Sequence, residues 1–226
     1  MTIQTLQHVK NNALFTGTDK AIDKNYKHKG IPVILQQSVA FIVLLLISPL
    51  LLLVLILIKA ESSGSALFSQ TRVGENGRHF KMYKFRSMYL KTDPNYHEPD
   101  PTQSSREGVC KKYINDPRIT KIGQFIRKYS IDEIPQLFNI VRGDMCLVGP
   151  RPALSIETYE YDNNVQSRLF TKPGLTGLWQ VSGRADTNFE EQLQLDKTYI
   201  KQQSFFMDCK IIALTIPAVL SAKGAY

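Results

Sequence analysis

The sequence predicts an α+β monotopic membrane protein: a re-entrant, proline-broken membrane helix followed by a small mixed domain with interfacial amphipathic helices. Three observations predict it. Residues 30–58 carry no charge, basic residues flank both ends of that run, and the rest of the chain mixes strand-like and helix-like patterns without a repeat. At 226 residues there is room for one domain plus an appendage. The 43% hydrophobic and 21% charged content is ordinary for a folded protein and excludes full disorder. With 13 Gly and 11 Pro, collagen-like and low-complexity chains are excluded too. Cys110, Cys146 and Cys209 are far apart and form no disulfide framework, which suits a reduced, cytoplasm-facing protein.

Residues 1–29 read as a polar, lysine-dotted tail and 30–60 as the membrane segment. Within it, 39–58 is a 20-residue apolar run interrupted in polarity by Ser48. About 20 apolar residues match a ~30 Å hydrocarbon slab, whereas a signal peptide has a shorter apolar core nearer the N-terminus. Ser48-Pro49 sits at the centre of the run, where proline removes a helical hydrogen bond. Lys24, Lys27 and Lys29 precede the run; Lys59, Arg72 and Arg78 follow it. Basic flanks prefer the cytoplasm. A helix that enters, breaks at Ser48-Pro49 and returns satisfies both flanks, in two arms of ~14 Å. A kinked spanning helix is the alternative that these residues leave open.

Residues 61–226 form the expected mixed domain. Residues 68–73 and 79–88 read as strands joined by a hairpin turn, and 92–105, with three prolines, as a loop. Asp116-Pro117 reads as the start of a helix whose Ile119, Ile122, Phe125, Ile126 and Tyr129 share one face. Ile134, Leu137, Phe138 and Val141 give the next apolar face, ended by Arg142-Gly143. Residues 147–152 read as a buried, sharply turning run, and 172–184 as irregular and glycine-punctuated. A helix follows at 190–204, then an amphipathic one at 205–220.

The chemistry concentrates around Ser130-Ile131-Asp132-Glu133. The spacing is that of a capping box, but Pro135 argues for a helix starting at Ile134-Pro135 instead, with both acids at its mouth. There the helix dipole favours ionised Asp132, as a nucleophile requires. Asp132 and Glu133 together suit Mg²⁺ bridging to a substrate phosphate, and Arg127 is placed to keep them charged. Lys84, Arg86, Arg151 and Arg184 recur on turns. Arg151, between two prolines, is aimed by rigid residues, and planar guanidinium suits phosphate. Trp179, the sole tryptophan, reads equally as a base-stacking or a core residue. There is no Walker A, GxGxxG, HExxH or GxSxG string, and four histidines show no metal spacing, so zinc and histidine-based nucleophilic catalysis are not expected.

The strings KFRSM (84–88), DPRITKIGQFIRKYSIDEIPQLFNIVRGDMCLVGPRP (116–152) and KPGLTGLWQVSGR (172–184) resemble the bacterial sugar transferase family, the monotopic polyprenyl-phosphate phosphoglycosyl transferases. The resemblance runs from about 30 to 226 and includes Ser48-Pro49. It implies a re-entrant membrane hairpin and a catalytic domain on the cytoplasmic face of the bacterial inner membrane. It implies transfer of a sugar phosphate from a UDP-sugar to polyprenyl (undecaprenyl) phosphate, releasing UMP, as the first membrane step of polysaccharide or glycoconjugate synthesis. Asp132 would form an aspartyl-phosphosugar, and Glu133 would help bind Mg²⁺. Arg127, Arg151 and Arg184 match family positions near the dyad, phosphate and nucleotide; Lys84 and Arg86 match its KFR motif. Two other classes fit the sequence less well. A membrane-anchored binding protein needs no acidic dyad. A nucleic-acid binder fits the net charge of +8, but the charge is dispersed and the membrane segment argues against it. The sugar, the pathway and whether the chain forms a homo-oligomer are left open by the sequence.

Overall fold

The computed structural model describes residues 27–100, 102, 113, 115–158, 167–183 and 189–221. Its first element is helix α1 (Val33–Glu61), 29 residues with Pro49 inside. It is the one helix among the described residues long and apolar enough to cross a membrane. The expected break at Ser48-Pro49 is not a helix end: the helix runs through it. Proline leaves the carbonyl of Leu45 without its usual donor, and the Ser48 hydroxyl donates to that carbonyl at 2.8 Å. In an apolar surrounding, a carbonyl so satisfied lets the helix continue.

Both halves of α1 pack on the rest of the chain. Ala40 is buried with Met82, Leu137, Ile140 and Met145; Val54 and Ile58 are buried with Ala66, Phe85 and Ile126. The opposite face is open, with Leu46 74% exposed. At its N-terminal end the chain is tied down by polar bonds. Lys29 N donates to Gln203 Oε1 at 3.1 Å and Ile31 N to Asp208 Oδ2 at 2.8 Å. Gln36 donates to the carbonyl of Ile31 and accepts from Leu147 N, both at 2.6 Å.

Strands β1 (Leu67–Val73) and β2 (His79–Phe85) form the expected antiparallel hairpin, pairing Leu67 with Phe85 through Val73 with His79. Helix α2 (Lys121–Lys128) starts later than Asp116-Pro117 suggested. The Asp116 carboxylate is spent on Arg118, accepting from its backbone N and its guanidinium. Thr120 caps α2 instead, accepting from Gly123 N at 2.8 Å. Glu61, the last residue of α1, adds a second cap: its two carboxylate oxygens accept from Lys121 N (2.6 Å) and Ile122 N (2.9 Å). Anions stabilise helix N-termini, so the end of α1 fixes the start of α2. Phe125, expected on the apolar face, is exposed and lies edge-on to Tyr129, whereas Ile126 is buried.

Helix α3 (Gln136–Val141) ends at Gly143, whose φ of +81 closes the turn. On it, fully buried Asn139 bolts α3 to β2, accepting from Tyr83 N at 3.1 Å and donating to the Lys81 carbonyl at 2.7 Å. Strands β3 (Cys146–Val148) and β4 (Gly174–Thr176) pair in parallel. A Cβ at Gly174 would lie 2.1 Å from Gly149 N, so only glycine permits this approach. Short helices α4 (Ser155–Thr158) and α5 (Leu178–Ser182) follow β3 and β4. Helices α6 (Phe189–Gln202) and α7 (Phe205–Leu220) end the fold, α7 capped by Ser204. Tyr199 of α6 donates to Asp208 of α7 at 2.8 Å, inside a cluster with Val148 and Ile211. Phe206, Ile216 and Leu220 of α7 stay exposed.

Candidate active site

A cavity of about 880 Å³ opens between the hairpin, α3, the β3–β4 pair and α7. Asp132 and Glu133 lie on its wall, in a three-residue 3₁₀ turn (Ile131–Glu133). Ser130 sets up the turn in a left-handed conformation (φ 54) and caps nothing, so the capping-box spacing does not form a capping box. Pro135 precedes α3, as its missing N–H requires. Because the dyad sits in a short turn and not at the mouth of a long helix, the dipole does not govern Asp132. Burial pushes its carboxyl up to about 6, and the adjacent Glu133 adds to the rise; Lys84 and Arg127 pull the other way.

Lys84 Nζ pairs with Glu133 Oε1 at 2.6 Å, both partly buried. Lys84 reaches the site from β2, which Asn139 fixes to α3. Arg127, from the last turn of α2, also lines the cavity. So does Arg151, whose guanidinium lies 5.8 Å from the centroid of the Trp179 ring. Trp179 is itself buried, so it walls the cavity while carrying a cation on its face. Two buried arginines hold the backbone of the proline-flanked turn. Arg168 Nη2 donates to the Arg151 carbonyl at 3.1 Å and Arg72 Nη1 to the Pro152 carbonyl at 3.0 Å. Arg168 is in turn paired with buried Asp196 at 2.6 Å.

The structure thus brings Asp132, Glu133, Lys84, Arg127 and Arg151 to one cavity. Arg86 is not brought there. It is buried away from that cavity, and its guanidinium donates to the carbonyls of Ser62 and Ser63, where α1 leads into β1. Arg184 lies outside the described residues. Arg72 and Gln136 line the cavity and were not singled out from the sequence. The signal for Arg72 was weak, a single charge in a strand; Gln136 stood next to Pro135 in the dyad motif. One side of the cavity is charged; the other, formed by Val39 of α1 with Ile212, Ile216 and Val219 of α7, is apolar. Such a site suits an anionic head joined to an apolar chain.

A cation fits the acids present. Among the described residues no group of three or more His, Cys, Asp or Glu forms a metal cage. Mg²⁺, however, is commonly held by one or two carboxylates with substrate phosphates completing its shell. Asp132 and Glu133, two adjacent carboxyl groups on the cavity wall, form such a donor set.

Comparison with known proteins identifies the family. The family model described as bacterial sugar transferase matches residues 28–222. The exopolysaccharide production protein ExoY of Rhizobium meliloti (strain 1021) is 43% identical over 192 residues, covering 83% of this chain and 84% of that protein. The undecaprenyl-phosphate galactose phosphotransferase of Salmonella typhimurium is 42% identical over 190 residues, 83% of this chain and 40% of that protein. A UDP-glucose:undecaprenyl-phosphate glucose-1-phosphate transferase of Caulobacter vibrioides is 39% identical over 201 residues, 85% of this chain and 71% of that protein. The chain belongs to the bacterial sugar transferase family and is a phosphoglycosyl transferase. It spans most of the Rhizobium protein and 40% of the Salmonella one.

Proposed function

We propose that this protein transfers a sugar 1-phosphate from a UDP-sugar to undecaprenyl phosphate in two steps at Asp132. The observation that carries this reading is the acidic dyad in a cavity with cations on one side and apolar residues on the other. In the first step the Asp132 carboxylate attacks the sugar-bearing phosphorus, the bond to the UMP phosphate oxygen breaks, and UMP leaves with that electron pair. An aspartyl-phosphosugar remains. In the second step an oxygen of undecaprenyl phosphate attacks the same phosphorus and the acyl phosphate bond breaks. This regenerates the carboxylate and yields undecaprenyl-diphospho-sugar. Covalent catalysis of this kind divides one hard displacement into two easier ones.

Lys84 holds Glu133 in place, and Arg127, Arg151 and Arg72 offset phosphate charge as it shifts from leaving group to acceptor. Asp132 and Glu133 would hold Mg²⁺, which supplies charge neutralisation on the diphosphate when bound. The membrane arrangement in this reading is re-entrant. Both halves of α1 pack on the domain while its other face is apolar and open, which suits a continuous helix that dips into one leaflet and returns by bending at Pro49. The catalytic domain then lies on the cytoplasmic side of the inner membrane, with the exposed apolar residues of α7 in the interface.

The test is UMP release by full-length protein in membranes or detergent, with a panel of UDP-sugars and undecaprenyl phosphate. Release is expected with at least one UDP-sugar, with the sugar phosphate recovered on the lipid and activity lost in excess chelator. Absence of UMP with every UDP-sugar refutes the reading; undiminished release from metal-stripped protein in chelator removes Mg²⁺ from it.

A further inference from the structure

Gln136 is the first residue of α3, three residues past Glu133, and is 3% exposed. It lines the cavity, yet no hydrogen-bond partner for its amide is found among the described residues. Other buried amides of the fold are used: Asn139 bolts β2 to α3, and Gln36 ties α1 to β3. A carboxamide has two N–H donors and an acceptor oxygen, so it can both donate to and accept from a ligand. The Gln136 amide is not among the side-chain atoms sealed off without a partner; it stands beside the acids on the cavity wall, where a ligand can meet it.

We infer that Gln136 contacts the transferred sugar, its amide hydrogen-bonding a ring hydroxyl; this rests on the function proposed above. In the proposed function the cations on the cavity wall answer the phosphates of the donor, and a neutral amide adds least there. A hydroxyl both donates and accepts, which a carboxamide answers with one group. The sugar is bonded through oxygen to the phosphorus that Asp132 attacks, so it must lie beside the dyad turn. The nucleobase stands farther off, beyond the leaving phosphate and its ribose. The polyprenyl chain has no polar group apart from its phosphate.

Gln136→Met and Gln136→Leu in the full-length protein test the contact. The readouts are kcat and KM for the UDP-sugar that wild type uses and for its monodeoxy analogues, inhibition by UMP, and thermal melting. The variants are expected to lose about tenfold in kcat/KM for the parent sugar, as for one lost hydrogen bond. One deoxy analogue that wild type disfavours should then be used as well as the parent, because ligand and protein each lack one partner of the same bond. UMP inhibition should be unchanged and the melting temperature unchanged or raised. A deoxy penalty that persists in the variants places the contact elsewhere. Parallel weakening of UMP inhibition makes Gln136 a nucleotide reader, and a lowered melting temperature in both variants makes it structural; each overturns the inference. Wild type inactive toward every UDP-sugar overturns the proposed function and this contact together, whereas an active wild type with an unchanged penalty in the variants overturns the contact alone.

Discussion

Asp132 sits where charge is disfavoured, raised to about 6 by burial and by Glu133, and where a cation or a phosphate-bound arginine would relieve it. Asn at this position keeps the shape and removes the attacking oxygen. Asp132→Asn is expected to fold and bind membranes normally and to lose at least ~10³-fold in activity, as other covalent catalysts do without their nucleophile. Wild type given labelled UDP-sugar without acceptor should carry label on Asp132 after rapid quench and mass spectrometry. Near-normal turnover by a folded Asp132→Asn, or label on another residue, removes Asp132 from that role. The acids, Lys84, Arg127 and Arg151 were legible because short motifs carry them. The position of Arg86 was not legible, because its partners are backbone carbonyls of Ser62 and Ser63, which no charge pattern marks. Gln136 was invisible because what distinguishes it is a missing partner, a fact of three dimensions.

Among the elements, the turn carrying Arg151 depends on a buried ion pair. Burial raises Asp196 to about 6, against the pull of Arg168 and Arg151. Arg168→Met leaves that carboxylate without its charge partner and is expected to lower stability by about 3–5 kcal/mol, measured as a denaturation midpoint in detergent. The sign of its pH dependence follows from the raised carboxyl. Stability from the protonated form is present below the ordinary carboxylate range and is lost as pH rises through about 6. The variant should therefore lose less at pH ~5 than at pH ~8, and adding Asp196→Leu should restore much of the loss. Equal destabilisation at both pH values would show that Asp196 is not the cause. The hairpin and the two C-terminal helices were readable from periodicity and turn residues. Strands β3 and β4 were not, because three residues of glycine-bordered chain show no alternation, and their pairing spans a separation that local pattern does not record. The start of α2 was misplaced because Asp116-Pro117 and Thr120 both carry cap chemistry, and Arg118 takes Asp116.

For the whole molecule, the re-entrant reading predicts that both ends of the chain share one side. Single cysteines near Lys10 and Lys223, in protein otherwise free of cysteine, should both resist an impermeant thiol reagent in intact cells and both react after permeabilisation. Labelling near Lys10 alone in intact cells would make α1 a spanning helix. The charge-free segment was plain from the sequence; that its two halves would lie on the domain was not, since apolar runs look alike whether they face lipid or protein. The Glu61 cap carries that joining further. The helix that bears Arg127 has two N–H groups of its first turn satisfied by α1, and two of the hydrophobic clusters lack a wall without Ala40, Val54 and Ile58. The ribosome delivers α1 before any of the residues it supports. In the re-entrant reading this orders biogenesis: α1 meets the bilayer first, and the residues it supports fold against it afterwards.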